Sequence, residues 1–432
     1  MADEDEETEN KIGLNEIQFF PSSSQTNIYG LVKFYDTVHG CNKVLMASLK
    51  GSVTCITSQQ SARPTSTLSS HNLSLRNLQG SDIVSIDAFE SDSIFYFGVT
   101  YIKNGHTSHE RKFLNIYSGS TAFQNELSFD NFQTFDLEFV PFQLIHANTT
   151  KETVFLLSGG DRKIHLFKQN DKTQLFVECK VEDYFLEFKD LPSSVISMDI
   201  YYDMENKRRI SAYACQNGTL KVALCTEKAV MKEWLTSHDG PISSVKFFTF
   251  EANSREVSEE MKALLASTRR KNVIKYTNCG VVHLLVTAVI EPSVVYEDVI
   301  NNGLNKFIIL PDSDQYDCVL CSHVNDLTWS GTNEILLGTY GQKLLVYKMH
   351  KIKEEETETE RLKACLFWTK SFSSPLFAMD YIDMTNDGVR ELIVASSKGL
   401  HVLQHKFPAI SVKFQEELSK LDHVQRNQTE DS

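Results

Sequence analysis

Short apolar runs broken by turn residues recur along almost the whole chain. A run rich in Val, Ile, Leu and aromatics ends in Ala, Ser or Gly, passes a turn and resumes as a second run. Runs of this length and make-up predict paired β-strands, and a Gly or Asn-Gly between them predicts a hairpin. The first copy is Val44-Leu45-Met46-Ala47-Ser48, then Lys50-Gly51, then Val53-Thr54-Cys55-Ile56. The second leads from Ile94-Phe95-Tyr96-Phe97-Gly98 through a longer loop to Phe113-Leu114-Asn115-Ile116-Tyr117. The third turns at Gly159-Gly160 into Ile164-His165-Leu166-Phe167, and the fourth at Asn217-Gly218 into Leu220-Lys221-Val222-Ala223. The fifth continues from Leu284-Leu285-Val286-Thr287-Ala288 towards Val294-Val295-Tyr296. The sixth turns near Gly341 into Leu344-Leu345-Val346-Tyr347, and the last at Lys398-Gly399 into Leu400-His401-Val402-Leu403.

The copies begin at 44, 94, 153, 210, 284, 335 and 392, so the gaps are 50, 59, 57, 74, 51 and 57. The long gap holds a charged stretch at about 251–272, read as an inserted loop, and a second charged run occupies 351–361. A lone hairpin is barely stable in water, whereas radially arranged four-stranded units bury one another's faces. The period therefore predicts an all-β fold, a seven-bladed β-propeller over residues 12–408. Copies two and five are the least regular, so six and eight blades are the neighbouring counts. Two separate β-sandwiches would leave no period running through the chain. Residues 1–11 read as a disordered acidic tail. In 409–432, Ile410, Phe414, Leu418 and Leu421 recur at helical spacing, which predicts a short C-terminal helix followed by a disordered tail. Ile17-Gln18-Phe19-Phe20 is expected to donate a strand to the last blade and close the ring.

Charge narrows the partners. The formal net charge is -14 over 432 residues. Nucleic acid and anionic membranes carry the same sign, so neither is expected as the main partner. Arg269-Arg270-Lys271 is the densest basic run and reads as a solvated loop. No apolar stretch is long enough to span a bilayer, and the first residues lack the features of a secretory signal. A cytoplasmic location is expected. The nine Cys are odd in number and scattered, which fits reduced thiols.

Candidate chemistry is sparse. Asp383-Met384-Thr385-Asn386-Asp387-Gly388-Val389-Arg390-Glu391 places oxygen-bearing residues at alternate positions around a Gly, as loops that wrap hard cations do. The spacing is similar to the cation loops of integrin FG-GAP repeats. Asp326-Leu327-Thr328-Trp329-Ser330-Gly331-Thr332-Asn333-Glu334, 57 residues earlier, matches at Asp, Thr, Gly and Glu but carries Ser330 for the central acid. Thr385 is a poor ligand and Glu391 stands where an Asp is usual, so the reading is an Asp-capped turn rather than a metal site. Cys318-Val319-Leu320-Cys321 lacks a second pair of zinc ligands and reads as core. Ser158-Gly159-Gly160-Asp161 has no following Gly-Lys-Ser/Thr and reads as a hairpin turn. His165 and His401 read as packing or surface, and Trp234, Trp329 and Trp368 as packing between blades. No nucleophile elbow, metalloprotease pair or kinase signature occurs. The expectation is no enzyme, no catalytic or metal residues and no cofactor.

Longer strings carry a family resemblance. Among them are Ser24-Gln25-Thr26-Asn27-Ile28-Tyr29-Gly30-Leu31, Asp239-Gly240-Pro241-Ile242-Ser243, Leu310-Pro311-Asp312-Ser313-Asp314-Gln315-Tyr316-Asp317 and Ser371-Phe372-Ser373-Ser374-Pro375-Leu376. In these, and in order over nearly its whole length, the chain resembles the kaptin family. The resemblance implies a non-enzymatic scaffold subunit of the KICSTOR complex, which holds the GATOR GTPase-activating complex at the lysosomal surface. There it restrains the TOR kinase when nutrients are scarce. It implies as partners a second propeller subunit with FG-GAP repeats and a large scaffold subunit that carries both, with peripheral placement on lysosomes through them. The alternative role that the family suggests is association with filamentous actin in lamellipodia and stereocilia. The family offers no motif-defined functional residues, so none is carried over.

Overall fold

A computed structural model describes residues 13–59, 67–91, 94–104, 110–121, 127–203, 207–252, 280–353 and 360–406. They form seven four-stranded antiparallel sheets. The chain starts with strand β1 (Leu14–Pro21). Blade one follows as β2 (Leu31–Asp36), β3 (Cys41–Ser48), β4 (Ser52–Gln59) and β5 (Thr67–Asn72). Blade two is β6 (Ser81–Ser91), β7 (Ile94–Asn104), β8 (Glu110–Thr121) and β9 (Leu127–Leu137). Blade three is β10 (Pro141–Asn148), β11 (Thr153–Gly159), β12 (Ile164–Gln169) and β13 (Phe176–Cys179). Blade four is β14 (Val195–Asp203), β15 (Arg208–Cys215), β16 (Thr219–Thr226) and β17 (Val230–Ser237). Blade five is β18 (Ile242–Thr249), β19 (Val282–Ala288), β20 (Val294–Tyr296) and β21 (Phe307–Ile309). Blade six is β22 (Val319–Asn325), β23 (Glu334–Thr339), β24 (Lys343–Lys353) and β25 (Glu360–Ser371). Blade seven takes β26 (Leu376–Ile382), β27 (Glu391–Ser396) and β28 (Gly399–His405) from the end of the chain and β1 from its start.

The architecture is the predicted seven-bladed propeller. Each copy of the repeat is the second and third strand of one blade, including the irregular second and fifth copies. The charged run at 351–361 begins inside β24 and ends inside β25, because the strands of that hairpin stay paired out to Lys353 and Glu360. Residues 354–359, most of the 251–272 stretch, the acidic tail and the C-terminal helix fall outside the described residues. So does Arg269-Arg270-Lys271.

The repeated runs are continuously apolar because the middle strands are buried on both faces. Successive side chains of a strand point to opposite sides. Leu392 and Val394 of β27 pack towards blade six with Leu336, Val346 and Trp368. Ile393 and Ala395 of the same strand pack towards blade one with Val44, Met46 and Ile56. The core is thus a ring of inter-blade layers rather than one central mass. Each buried Val, Leu or Ile contributes roughly 1.5–3 kcal/mol.

The ends meet in blade seven. β1 pairs with β28 from Leu14↔His405 to Pro21↔Gly399, with a register shift at Ile17. Ile17-Gln18-Phe19-Phe20 therefore lies in a strand of the last blade. Pro21 is tolerated because β1 is an outer edge. Gly399 has φ 152, and a Cβ there would lie 2.1 Å from the Phe20 carbonyl oxygen. Only glycine lets β1 approach this closely.

Candidate functional site

The first strand of every blade lines the central channel, and its channel side is an unpaired sheet edge. Six of these strands, β6, β10, β14, β18, β22 and β26, shift register by one residue near their start. In each, the residue two places past the shift is ionisable: Asp87, His146, Asp199, Lys246, His323 and Asp380. They belong to one belt around the channel. Asp380 accepts from Lys33 of blade one at 2.7 Å and lies 4.0 Å from His323 of blade six. Asp87 meets His146 of blade three at 2.9 Å. Ser244 and Ser322 join blades five and six at 2.8 Å.

The belt also satisfies backbone groups that the edge leaves without a strand partner. Gln143 accepts from the Met198 amide at 2.7 Å, Ser197 from Val245 at 3.1 Å, and Asp199 from Phe247 at 2.7 Å. Tyr29 donates to the Ile196 carbonyl at 2.7 Å. Blades one and four are not neighbours, so this bond crosses the channel at the end where the inner strands begin. Burial pushes the Tyr29 phenol well above its ordinary value. It also pushes the His323 imidazole down to about 4; Asp380 opposes this, and Lys33, Lys246 and Arg390 add to it. His146 is raised: burial lowers it, but the Asp87 carboxylate outweighs that.

At the opposite end of the channel lie the two related loops, each joining the first and second strands of its blade. Asp383 accepts from the amides of Asp387 and Gly388 at 3.3 and 2.9 Å, and Glu391 from Met384 and Thr385 at 2.7 and 3.3 Å. The earlier loop repeats this. Asp326 accepts from Ser330 and Gly331 at 2.8 Å each, and Glu334 from Leu327 and Thr328 at 2.7 and 3.2 Å. Gly331 and Gly388 sit at φ 81 and 85, which the tight turn requires. Both loops are turns held by side-chain-to-backbone bonds.

The loops differ in charge. Lys348 of β24 lies 3.4 Å from Glu334. The matching position on β28 is Gln404, which donates to Glu391 at 2.9 Å and to Asp387 at 3.1 Å. Asp383, Asp387 and Glu391 bring carboxylate oxygens within 4.8 Å of one another. Burial pushes Glu391 up to about 8; the Met384 amide opposes this, and Asp383 and Asp387 add to it. Glu334 is also raised by burial, with Thr328 and Lys348 holding it down. The Asp383 loop further ties blade seven to blade one, where Asn42 donates to the Asp383 carbonyl at 2.8 Å.

The other sequence candidates are dispersed. Cys321 is buried in the core between blades six and seven, its thiol pushed up to about 12 by burial, and Cys318 is half-buried. Gly159 and Gly160 form the β11–β12 turn. His165 stacks on Phe139 at 3.8 Å and bonds Glu178 at 2.7 Å. Trp368 is core, Trp234 packs against Gly303, and Trp329 lies 4.2 Å from the His405 ring.

His401 does more than fill space. Its Nε2 lies 3.0 Å from Ser396 Oγ and its Nδ1 2.8 Å from Glu16 of β1. The order is that of a nucleophile, base and acid. However, Ser396 is fully buried and its hydroxyl donates to the Gly399 carbonyl at 3.1 Å. The group staples the closing strand to the last hairpin. The ionic belt was missed in the sequence. Its signal is a small residue followed two places later by an ionisable one, as in Ser85-Ile86-Asp87, Ser197-Met198-Asp199 and Ala378-Met379-Asp380.

Comparison with known proteins agrees with this architecture. By fold, the chain is similar to BBS1N in its crystal structures with ARL6DN. One gives a TM-score of 0.55 at 10% identity, covering 92% of this chain and 98% of that one. The other gives 0.52 at 10% identity, covering 91% and 97%. Such low identity speaks for the propeller fold alone. By sequence, the chain is 37% identical to the mouse (Mus musculus) KICSTOR complex protein kaptin over 407 residues, covering 91% of this chain and 88% of that protein. The family model described as KICSTOR complex protein kaptin matches residues 14–415, from the first residue of β1 past the end of β28. A match that takes in both halves of the closing blade covers the whole ring, and the chain belongs to the kaptin family.

Proposed function

We propose that this protein is a non-enzymatic scaffold subunit of a KICSTOR complex. In this reading it helps recruit the GATOR GTPase-activating complex to lysosomes and restrains TOR kinase signalling when nutrients are scarce. The observation that carries the reading is the family match across the entire propeller. The geometry agrees with a binding role. Side chains at the channel join one blade to the next, and the ring presents its outer edges and faces to other proteins. The partners in this proposal are a second propeller subunit with FG-GAP repeats and a large scaffold subunit, which place the protein at the lysosomal surface without membrane insertion.

The test is quantitative affinity purification of the tagged full chain from fed and starved cells, with partner stoichiometry read by mass spectrometry. Near-equimolar recovery of both subunits is the expected result. Salt-sensitive recovery of filamentous actin without them would overturn the proposal and make a cytoskeletal role primary.

A further inference from the structure

The outer strand of each blade has one edge without a strand partner, and two blades cover part of theirs with a glutamine from the blade before. Gln18 of β1 donates to the Leu68 carbonyl of β5 at 3.1 Å. Gln133 of β9 donates to the Phe176 carbonyl of β13 at 2.7 Å and accepts from the Phe176 amide at 2.9 Å. A side-chain amide used in this way stands in for the peptide group of a further strand. β21 of blade five has no such cover among the described residues. The Glu297 amide donates to the Lys306 carbonyl and the Leu310 amide to the Ser293 carbonyl, each at 2.9 Å. An antiparallel ladder alternates residues that face the partner strand with residues that face away. Lys306, Ile308 and Leu310 therefore turn their backbone groups towards β20, and Phe307 and Ile309 turn theirs outward. The same two side chains are 49% and 55% exposed on one face of the sheet. β17 also exposes Met231 and Leu235, but the charged Glu233 stands between them.

Charge marks the Ile309 end of this edge. Asp312, Asp314 and Asp317 follow it, all exposed and without an ion pair among the described residues. Against them stands Lys343, which bonds Ser371 and lies 5.8 Å from the Tyr316 ring centroid. Lys370 is on the opposite face of that sheet, with Trp368. At the other end of β21, Lys306 is paired with Glu297 at 3.0 Å. Ile290, in the turn between β19 and β20, adds a further exposed apolar side chain at the Ile309 end.

We propose that the outer edge of blade five is a docking site for an extended, basic segment of a partner protein, which adds to β21 as a fifth strand. The peptide groups of the segment pair with the amides and carbonyls of Phe307 and Ile309, and its alternate apolar side chains cover those two residues. Its lysines or arginines lie against Asp312, Asp314 and Asp317, which sets the direction and register of docking. β21 is three residues long, so backbone pairing alone is weak and the apolar and charged contacts supply the rest. The inference concerns this edge whatever assembly the chain joins, so it and the proposed function fail separately.

The test is fluorescence anisotropy of a short labelled peptide of alternating Val and Thr with a Lys pair at each end, titrated with the full chain. The expected result is saturable binding that weakens about tenfold in I309P, because proline removes an outward amide at a position where an edge strand tolerates it. F307T/I309T keeps strand-forming residues but loses the apolar contact; it should weaken binding by a similar factor and carries the test if I309P does not fold. D312N/D314N should weaken binding and flatten its salt dependence. Absence of saturation up to millimolar chain overturns the proposal, as does unchanged affinity in both β21 variants. Equal binding of the same peptide N-methylated throughout, or with Glu in place of every Lys, also overturns it.

Discussion

Glu391 and Glu334 occupy matching positions, and the same substitution should act on them unequally. Glu391 is fully buried, its carboxyl held near 8 against an ordinary 4.5, and Gln404 stands where the sister blade has Lys348. The folded state thus keeps a proton that the unfolded chain releases above pH 4.5. This stabilisation is complete below pH 4.5, falls as pH rises, and is gone once pH passes about 8. The difference between 8 and 4.5 corresponds to on the order of 5 kcal/mol, at about 1.4 kcal/mol per pH unit. Glu391→Gln mimics the protonated carboxyl without needing the proton and can still accept from Met384 and Thr385. Its stability relative to the parent should therefore rise steadily with pH across that window, by up to a few kcal/mol. Burial raises Glu334 as well, but Lys348 opposes this and would be left facing an uncharged amide, so Glu334→Gln should gain less with rising pH than Glu391→Gln. Urea unfolding of the parent and both variants at a series of pH values measures this. A pH-independent difference between Glu391→Gln and the parent would refute the reasoning, as would equal changes in the two variants at pH 8.

Other consequences are as direct. Phe20→Ala opens the layer between β1 and blade one and should cost about 3–5 kcal/mol in denaturant unfolding. Lys43→Met strips a fully buried Asp36 of its cation at 2.7 Å and should cost about 3–5 kcal/mol, with much of the loss recovered in the Lys43→Met/Asp36→Asn double variant. The raised pKa of His146 contributes stability that is full below its ordinary 6.5 and is lost as pH rises through the folded value. Asp87→Asn should abolish that part of the pH dependence, read as a flattened thermal-stability profile between the two pKa values.

The repeat was legible because the physics behind it is local in sequence. A strand buried on both faces must be apolar at every position, so Ile335-Leu336-Leu337 and Leu392-Ile393-Val394 announce themselves without reference to any partner. Turn chemistry then pairs each run with the next, and the period counts the blades. The Asp383 turn was legible for the same reason: an Asp, a Gly and a Glu within nine residues close on their own backbone.

The channel belt was decided by tertiary structure. Lys33 and Asp380 are 347 residues apart, and nothing near either one signals the other. Closing the ring puts the first and last blades side by side, and only then do these charges meet. The same closure decides the charge of the Asp383 loop. The sequence shows three carboxylates, but whether a cation answers them depends on the residue that β28 lays across the hairpin. There the chain carries Gln404 where its sister blade carries Lys348. Except for β1 in the closing blade, backbone pairing is set by neighbours along the chain; the electrostatic partners of the belt are set by which blades the ring brings together.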